Sequence, residues 1–224
     1  MTVGLETEPT ADGFIEELSR HGANVAMGTI FAVAKTHASM DPAEILVLLR
    51  DPVHEARVGA VSIMDFQARD RKASIERRRE LYELYIENHD HIDHWGLVDR
   101  AAPYVVGGYL WDKSREPLYE LARSDRPMER RTAIVATYYF IRKHDLDDTF
   151  GIAEILADDA DELVQKAVGG WVREAGKQDV ERLRRFLDAH ATTMPRTALR
   201  YAVEHLDPDE RSRYLAMRRV AATP

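Results

Sequence analysis

The feature that most constrains this chain is the recurrence of apolar residues at helical spacing, broken at short intervals by proline. Ile45, Leu48 and Leu49 form one such set, and Val58, Val61 and Ile63 another. Leu81, Leu84 and Tyr85 follow, then Leu163, Ala167, Val168 and Trp171. Steps of three and four place such residues on one side of a 3.6-residue helix, and the alternation that marks a strand is lacking. Breakers fall at Asp41-Pro42, Asp51-Pro52, Pro103, Pro117, Pro127, Met194-Pro195 and Asp207-Pro208. The three Asp-Pro pairs read as an N-cap followed by a first-turn proline. The pattern predicts an all-α chain of about twelve helices of ordinary length.

Helices of this size joined by short polar turns pair antiparallel, and pairs stacked along a line make an α-solenoid. A loose period of about 40 residues, restarting near Asp41, Ile75, Pro117 and Leu156, fits that architecture. A compact bundle is the competing arrangement. Residues 1–11 and 220–224 read as disordered, and 12–219 as a single repeat domain.

Composition narrows the function. The 224 residues contain no cysteine, which excludes disulfides and thiolate metal sites and suits a reducing compartment. No apolar run approaches the roughly 18 residues of a membrane helix, and Met1 to Pro9 lacks a signal-peptide core, so a cytoplasmic protein is expected. The net charge of −8 argues against sequence-independent coating of nucleic acid. The charges are nevertheless segregated. Carboxylates cluster at 145–148, 158–162 and 207–210, whereas arginines gather at 77–79, 130–131, 184–185, 196 with 200, and 211 with 213. That separation permits one basic concave face on an acidic body.

The segment His94-Trp-Gly-Leu-Val-Asp99 places an indole and a carboxylate four residues apart, on one face and one turn from each other. Ile92, Leu97, Val98, Ala101, Val105 and Val106 supply the apolar side, which leaves Trp95 and Asp99 together on another face. The ordinary reading of such a pair is a buried tryptophan beside a solvated aspartate. The chemical reading is support for a cationic sugar: the carboxylate stabilises an oxocarbenium-like centre or orients the water that captures it. The indole π face adds to that support. A helix later, Glu129-Arg-Arg-Thr-Ala-Ile-Val135 brings paired arginines, suited to phosphate.

The pattern W-x-L-V-D-x-x-A-P-x-x-V-G followed by E-R-R-T-A-I-V resembles the DNA alkylation repair glycosylases, the AlkD-like family of HEAT-like repeat proteins. Further strings agree in order: His54-Glu-Ala-Arg57, Tyr139-Phe-Ile-Arg142, Lys166-Ala-Val-Gly169 and Met194-Pro-Arg-Thr197. The resemblance runs from about Gly28 to Leu215. It implies a superhelical stack of HEAT-like helix pairs that holds duplex DNA with alkylated bases in a groove. It implies base excision repair by a monomeric glycosylase that needs no cofactor, releases cationic N3- or N7-alkylated purines without a deep base pocket, and meets DNA at the nucleoid. In that family the matching positions make Asp99 the catalytic carboxylate, Trp95 the sugar platform and Arg131 a phosphate clamp, with Arg130 a second choice.

The same comparison reads Lys166, Gly170, Arg173 and Lys177 as one DNA-facing stripe, and Arg196 with Arg200 as phosphate contacts. Salt bridging of these last two to Glu204 is the ordinary alternative. Two departures stand out. Gly96 follows the tryptophan where the family often has aspartate, and Gly170 stands where many members have a cleft tryptophan. Trp171 falls in line with Val164, Ala167, Val168 and Ala175 and reads as core. Ala26-Met-Gly-Thr-Ile30 keeps only the family's glycine turn, without its aromatic residue.

The run His89-Asp-His-Ile-Asp-His94 offers ligand pairs at i, i+4 but no third partner, so a helix connection is expected rather than a metal. The competing function is a non-catalytic binder of unusual DNA or a protein scaffold, motivated by Gly96, Gly170 and the negative charge.

Overall fold

The computed structural model describes residues 8–22 and 24–218. The described residues are helical, with no strand among them, in keeping with the all-α solenoid expected from the apolar spacing. They fall into two compact units, Met1–Tyr109 and Leu110–Pro224. The tail 220–224 lies outside the described residues, as does 1–7 of the N-terminal stretch. In the rest of that stretch, Thr10 already caps the first helix and Ala11 is buried in its opening turn.

The first unit comprises α1 (Ala11–Ser19), α2 (Met27–Thr36), α3 (Pro42–Leu49), α4 (His54–Arg69), α5 (Ile75–Glu87) and α6 (Trp95–Ala101). These form two rows of neighbours, α1–α3–α5 and α2–α4–α6, with α1 packed on α2 and α3 on α4. Asp41 starts α3 as expected: its carboxylate accepts from the Ala43 N–H, and Pro42 fills a position whose N–H would be unused. Asp51-Pro52 does not start a helix. Asp51 instead closes a turn by accepting from the Val53 N–H, and α4 begins at His54. A 3₁₀ turn, His89–His91, precedes α6, and a π-helical segment, Ala102–Gly107, follows it. Pro103 has no N–H to continue the α register, and the helix widens there.

The chain passes into the second unit within α7 (Gly108–Leu110). There α8 (Glu116–Ala122), α9 (Pro127–Ala136), α10 (Tyr138–Ile141), α11 (Asp147–Ile155), α12 (Glu162–Gly176), α13 (Val180–His190), α14 (Arg196–Ala202) and α15 (Pro208–Ala216) follow. The two rows recur as α8–α11–α13 and α9–α12–α14. Val164, Val168, Val172 and Ala175 of α12 turn inward and are fully buried, which is the stacked-pair logic: each helix hides one stripe against the other row. In both units the candidate residues ride on the second row, on α6, α9, α12 and α14.

Candidate nucleic-acid interface

The start of α6 is built by its own preceding histidine. The His94 ring accepts the Gly96 N–H at Nδ1, 3.1 Å away, and so serves as the N-cap. The same ring lies 5.3 Å from the Trp95 ring and meets His54 edge-on at 4.9 Å. Asp93 pairs with Arg57 at 3.0 Å. The histidine–aspartate run is thus occupied in starting a helix, and no group of three metal-holding side chains forms among the described residues. Leu97, Val98 and Ala101 bury the inner stripe of α6. Trp95, at 44% exposure, is left on the outside, a rare placement for an indole, with half-buried Asp99 one turn further on.

In the second unit the cations differ in kind. Arg131 is only 7% exposed, and its Nη1 donates to the Leu163 carbonyl in the first turn of α12. That departs from an open phosphate clamp: a guanidinium at this depth satisfies backbone first. Arg130 grips Asp159 through Nε and Nη2, at 2.6 and 3.1 Å, and donates from Nη1 to the Ser124 carbonyl. The hydrogen-bonded Asp159 carboxylate raises the pKa of this guanidinium, and its removal to a phosphate would strand a nearly buried carboxylate. Arg196 is also engaged with backbone, donating to the Leu215 and Met217 carbonyls at the end of α15. Glu204, read as a partner for Arg196 or Arg200, pairs instead with Arg173.

The remaining stripe is looser. Lys166 pairs with Glu162 at 2.8 Å, and Lys177 with Glu174 at 2.8 Å. The Glu162 carboxylate raises the Lys166 pKa, and its own is lowered in return. Exposed pairs of this kind are screened by solvent and contribute little, so phosphate oxygens compete for such lysines readily. Arg200 is exposed and has no ion-pair partner among the described residues.

Two adjacent glycines separate two jobs. A Cβ on Gly169 would sit 2.3 Å from the Ala198 carbonyl oxygen and 2.6 Å from the Tyr201 Cβ, so this glycine lets α12 and α14 cross closely. A Cβ on Gly170 would meet nothing within 4 Å, and that position opens outward. Trp171 is not in the core stripe; Val172 is. The Trp171 ring lies half-buried, 5.1 Å from Tyr138, wedged beside α10. Sequence reasoning missed Tyr201, 40% exposed on α14 and close enough to act on Lys166 electrostatically. It also missed the His94 cap, for which the signal was a polar ring just before an apolar helical stripe.

The chain matches the DNA alkylation repair enzyme family over residues 14–206. It belongs to that family. No match was found among curated proteins. Membership makes the chain an enzyme of DNA alkylation repair, and the matched residues run across both rows of helices in both units. No described helix is long and apolar enough to cross a membrane.

Proposed function

We propose that this family member is a DNA glycosylase that releases cationic N3- or N7-alkylated purines from duplex DNA, as a monomer and without a cofactor. The observation that carries the reading is the outward indole of Trp95, held at the capped start of α6 one turn from Asp99. A cationic purine leaves without a general acid, so the barrier is charge at the sugar. Asp99 faces that charge and Trp95 offers its π surface to the deoxyribose. Lys166 and Lys177 exchange weak partners for phosphates, exposed Arg200 meets them directly, and Gly170 leaves room for the backbone to approach. Arg173 joins them by releasing Glu204. Arg131, Arg130 and Arg196 act from behind, fixing α12, α9 and α14, rather than as direct clamps.

Gly96 and Gly170, which stand where many members carry an aspartate and a cleft tryptophan, favour a second reading, a non-catalytic DNA-structure binder. Single-turnover release of 7-methylguanine from duplex DNA separates the two. Release by the wild type, reduced by orders of magnitude in Asp99→Asn with binding retained, supports the glycosylase. Binding without release by either protein supports the second reading.

A further inference from the structure

Behind α6 lies a charged residue that the proposed chemistry does not use. Asp65 of α4 is 1% exposed. Its carboxylate stands 3.2 Å from Arg100 Nη2 and 3.2 Å from Arg69 Nε, and neither oxygen accepts a well-aligned hydrogen bond. Burial raises the Asp65 pKa, and the fields of Arg100 and Arg69 oppose that rise. Burial likewise lowers the Arg100 pKa, with Asp65 opposing. Each charge is tolerated only because the other is there.

The two arginines meet the short helix that carries Trp95 and Asp99 at its last turn and just beyond its end. Arg100 is the residue after Asp99, in the last turn of α6. Its Nε donates to Ser62 Oγ at 3.2 Å, and its guanidinium lies 4.6 Å from the Phe31 ring centre and 4.9 Å from that of Phe66. Arg69 lies 3.9 Å over the ring of Tyr104, in the π segment that follows α6. Apolar packing by Leu97, Val98 and Ala101 holds α6 down but tolerates sliding, whereas a guanidinium held between a buried carboxylate and the Ser62 hydroxyl resists it, because moving it would strand the buried charge.

We propose that Asp65 is a positioning residue for base release: through Arg100, and through Arg69 on Tyr104, it sets the rotation of α6 and hence where Trp95 and Asp99 stand. The inference rests on the glycosylase reading for its rate effect. A carboxylate that stabilises a developing cation must be placed to a fraction of an ångström, and small misplacements slow such steps by about 100-fold.

Asp65→Asn alone leaves Arg100 buried and unpaired, so the informative protein is Asp65→Leu/Arg100→Met, which fills the same space without charge. It is expected to melt near the wild type, to bind 7-methylguanine duplex about as tightly, and to release base about 10- to 100-fold more slowly. Arg100→Lys, which keeps the charge but loses the second contact to Ser62, should fall between. A folded double variant with the wild-type release rate overturns the proposal and makes the pair merely structural. Acrylamide quenching of Trp95, read in a Trp111→Phe/Trp171→Phe background, tests the placement without activity. Altered quenching in the double variant supports the proposal; unaltered quenching overturns it. Absence of release by the wild type itself would sink the glycosylase reading, and quenching alone would then decide the positioning claim.

Discussion

Gly169 packs against Ala198 so closely that a Cβ would stand 2.3 Å from the Ala198 carbonyl oxygen, whereas its neighbour Gly170 faces open space. Gly169→Ala should therefore destabilise the fold by about 1–3 kcal/mol through overpacking against backbone that cannot yield. Gly170→Ala should stabilise it by about 0.5–1 kcal/mol, because alanine is the better helix former and nothing obstructs it. Urea unfolding of the two variants checks the contrast; equal midpoints would refute it.

The imidazole cap of α6 gives a second expectation. His94→Ala removes the side-chain acceptor that caps that helix start and should cost about 1 kcal/mol. His94→Asn supplies an equivalent acceptor and should recover most of that loss. Base release should follow the same order if the start of α6 carries the indole, so a rate unaffected in His94→Ala would count against that placement.

The arginines of the second unit should divide by burial. Arg131→Ala removes a charge-assisted bond to the Leu163 carbonyl and should cost about 2–3 kcal/mol of stability. Arg200→Ala should change stability by less than about 0.5 kcal/mol. It should instead weaken DNA binding and reduce the slope of log K against log salt by about one. Fluorescence anisotropy at several salt concentrations, beside thermal melts, distinguishes the two classes.

Two tyrosines set an alkaline limit. The Tyr119 hydroxyl donates to Asp148 at 2.9 Å and the Tyr214 hydroxyl to Asp188 at 2.8 Å. Burial, together with the bonded carboxylate, pushes each phenol from 10.0 up to about 12. A folded pKa above the unfolded one means stability fully present below pH 10 and lost as pH rises through about 12. Phenolate absorbance of the folded protein should show a phase near pH 12, and Tyr119→Phe/Tyr214→Phe should remove it. A single phase near pH 10 would contradict both hydrogen bonds.

Much of this architecture was legible in the residues. Three- and four-residue apolar spacing is a local property, and it gave the helices; Asp41-Pro42 and Asp207-Pro208 gave two of their starts. Trp95 and Asp99 were brought onto one face by helix geometry alone, since four residues make about one turn. What failed depended on neighbours distant in sequence. Asp51-Pro52 looks like the other Asp-Pro pairs, yet α4 is set by its burial between α2, α3 and α6, and the turn ends before it. Trp171 sits one step off the stripe that reaches the core, so Val172 is buried in its stead.

The sequence by itself determined the helices, their polar breaks and the pairing of an indole with a carboxylate, because each follows from spacing along one chain. Only the tertiary structure decided which cations are available. Arg130, Arg131 and Arg196 are held by Asp159 and by the Leu163 and Leu215 carbonyls, partners 19 to 32 residues away. An arginine's reach carries no label in the sequence. Whether it meets solvent or a backbone carbonyl is fixed by how closely neighbouring helices pack, and here the absent side chain of Gly169 sets that distance for α12 and α14.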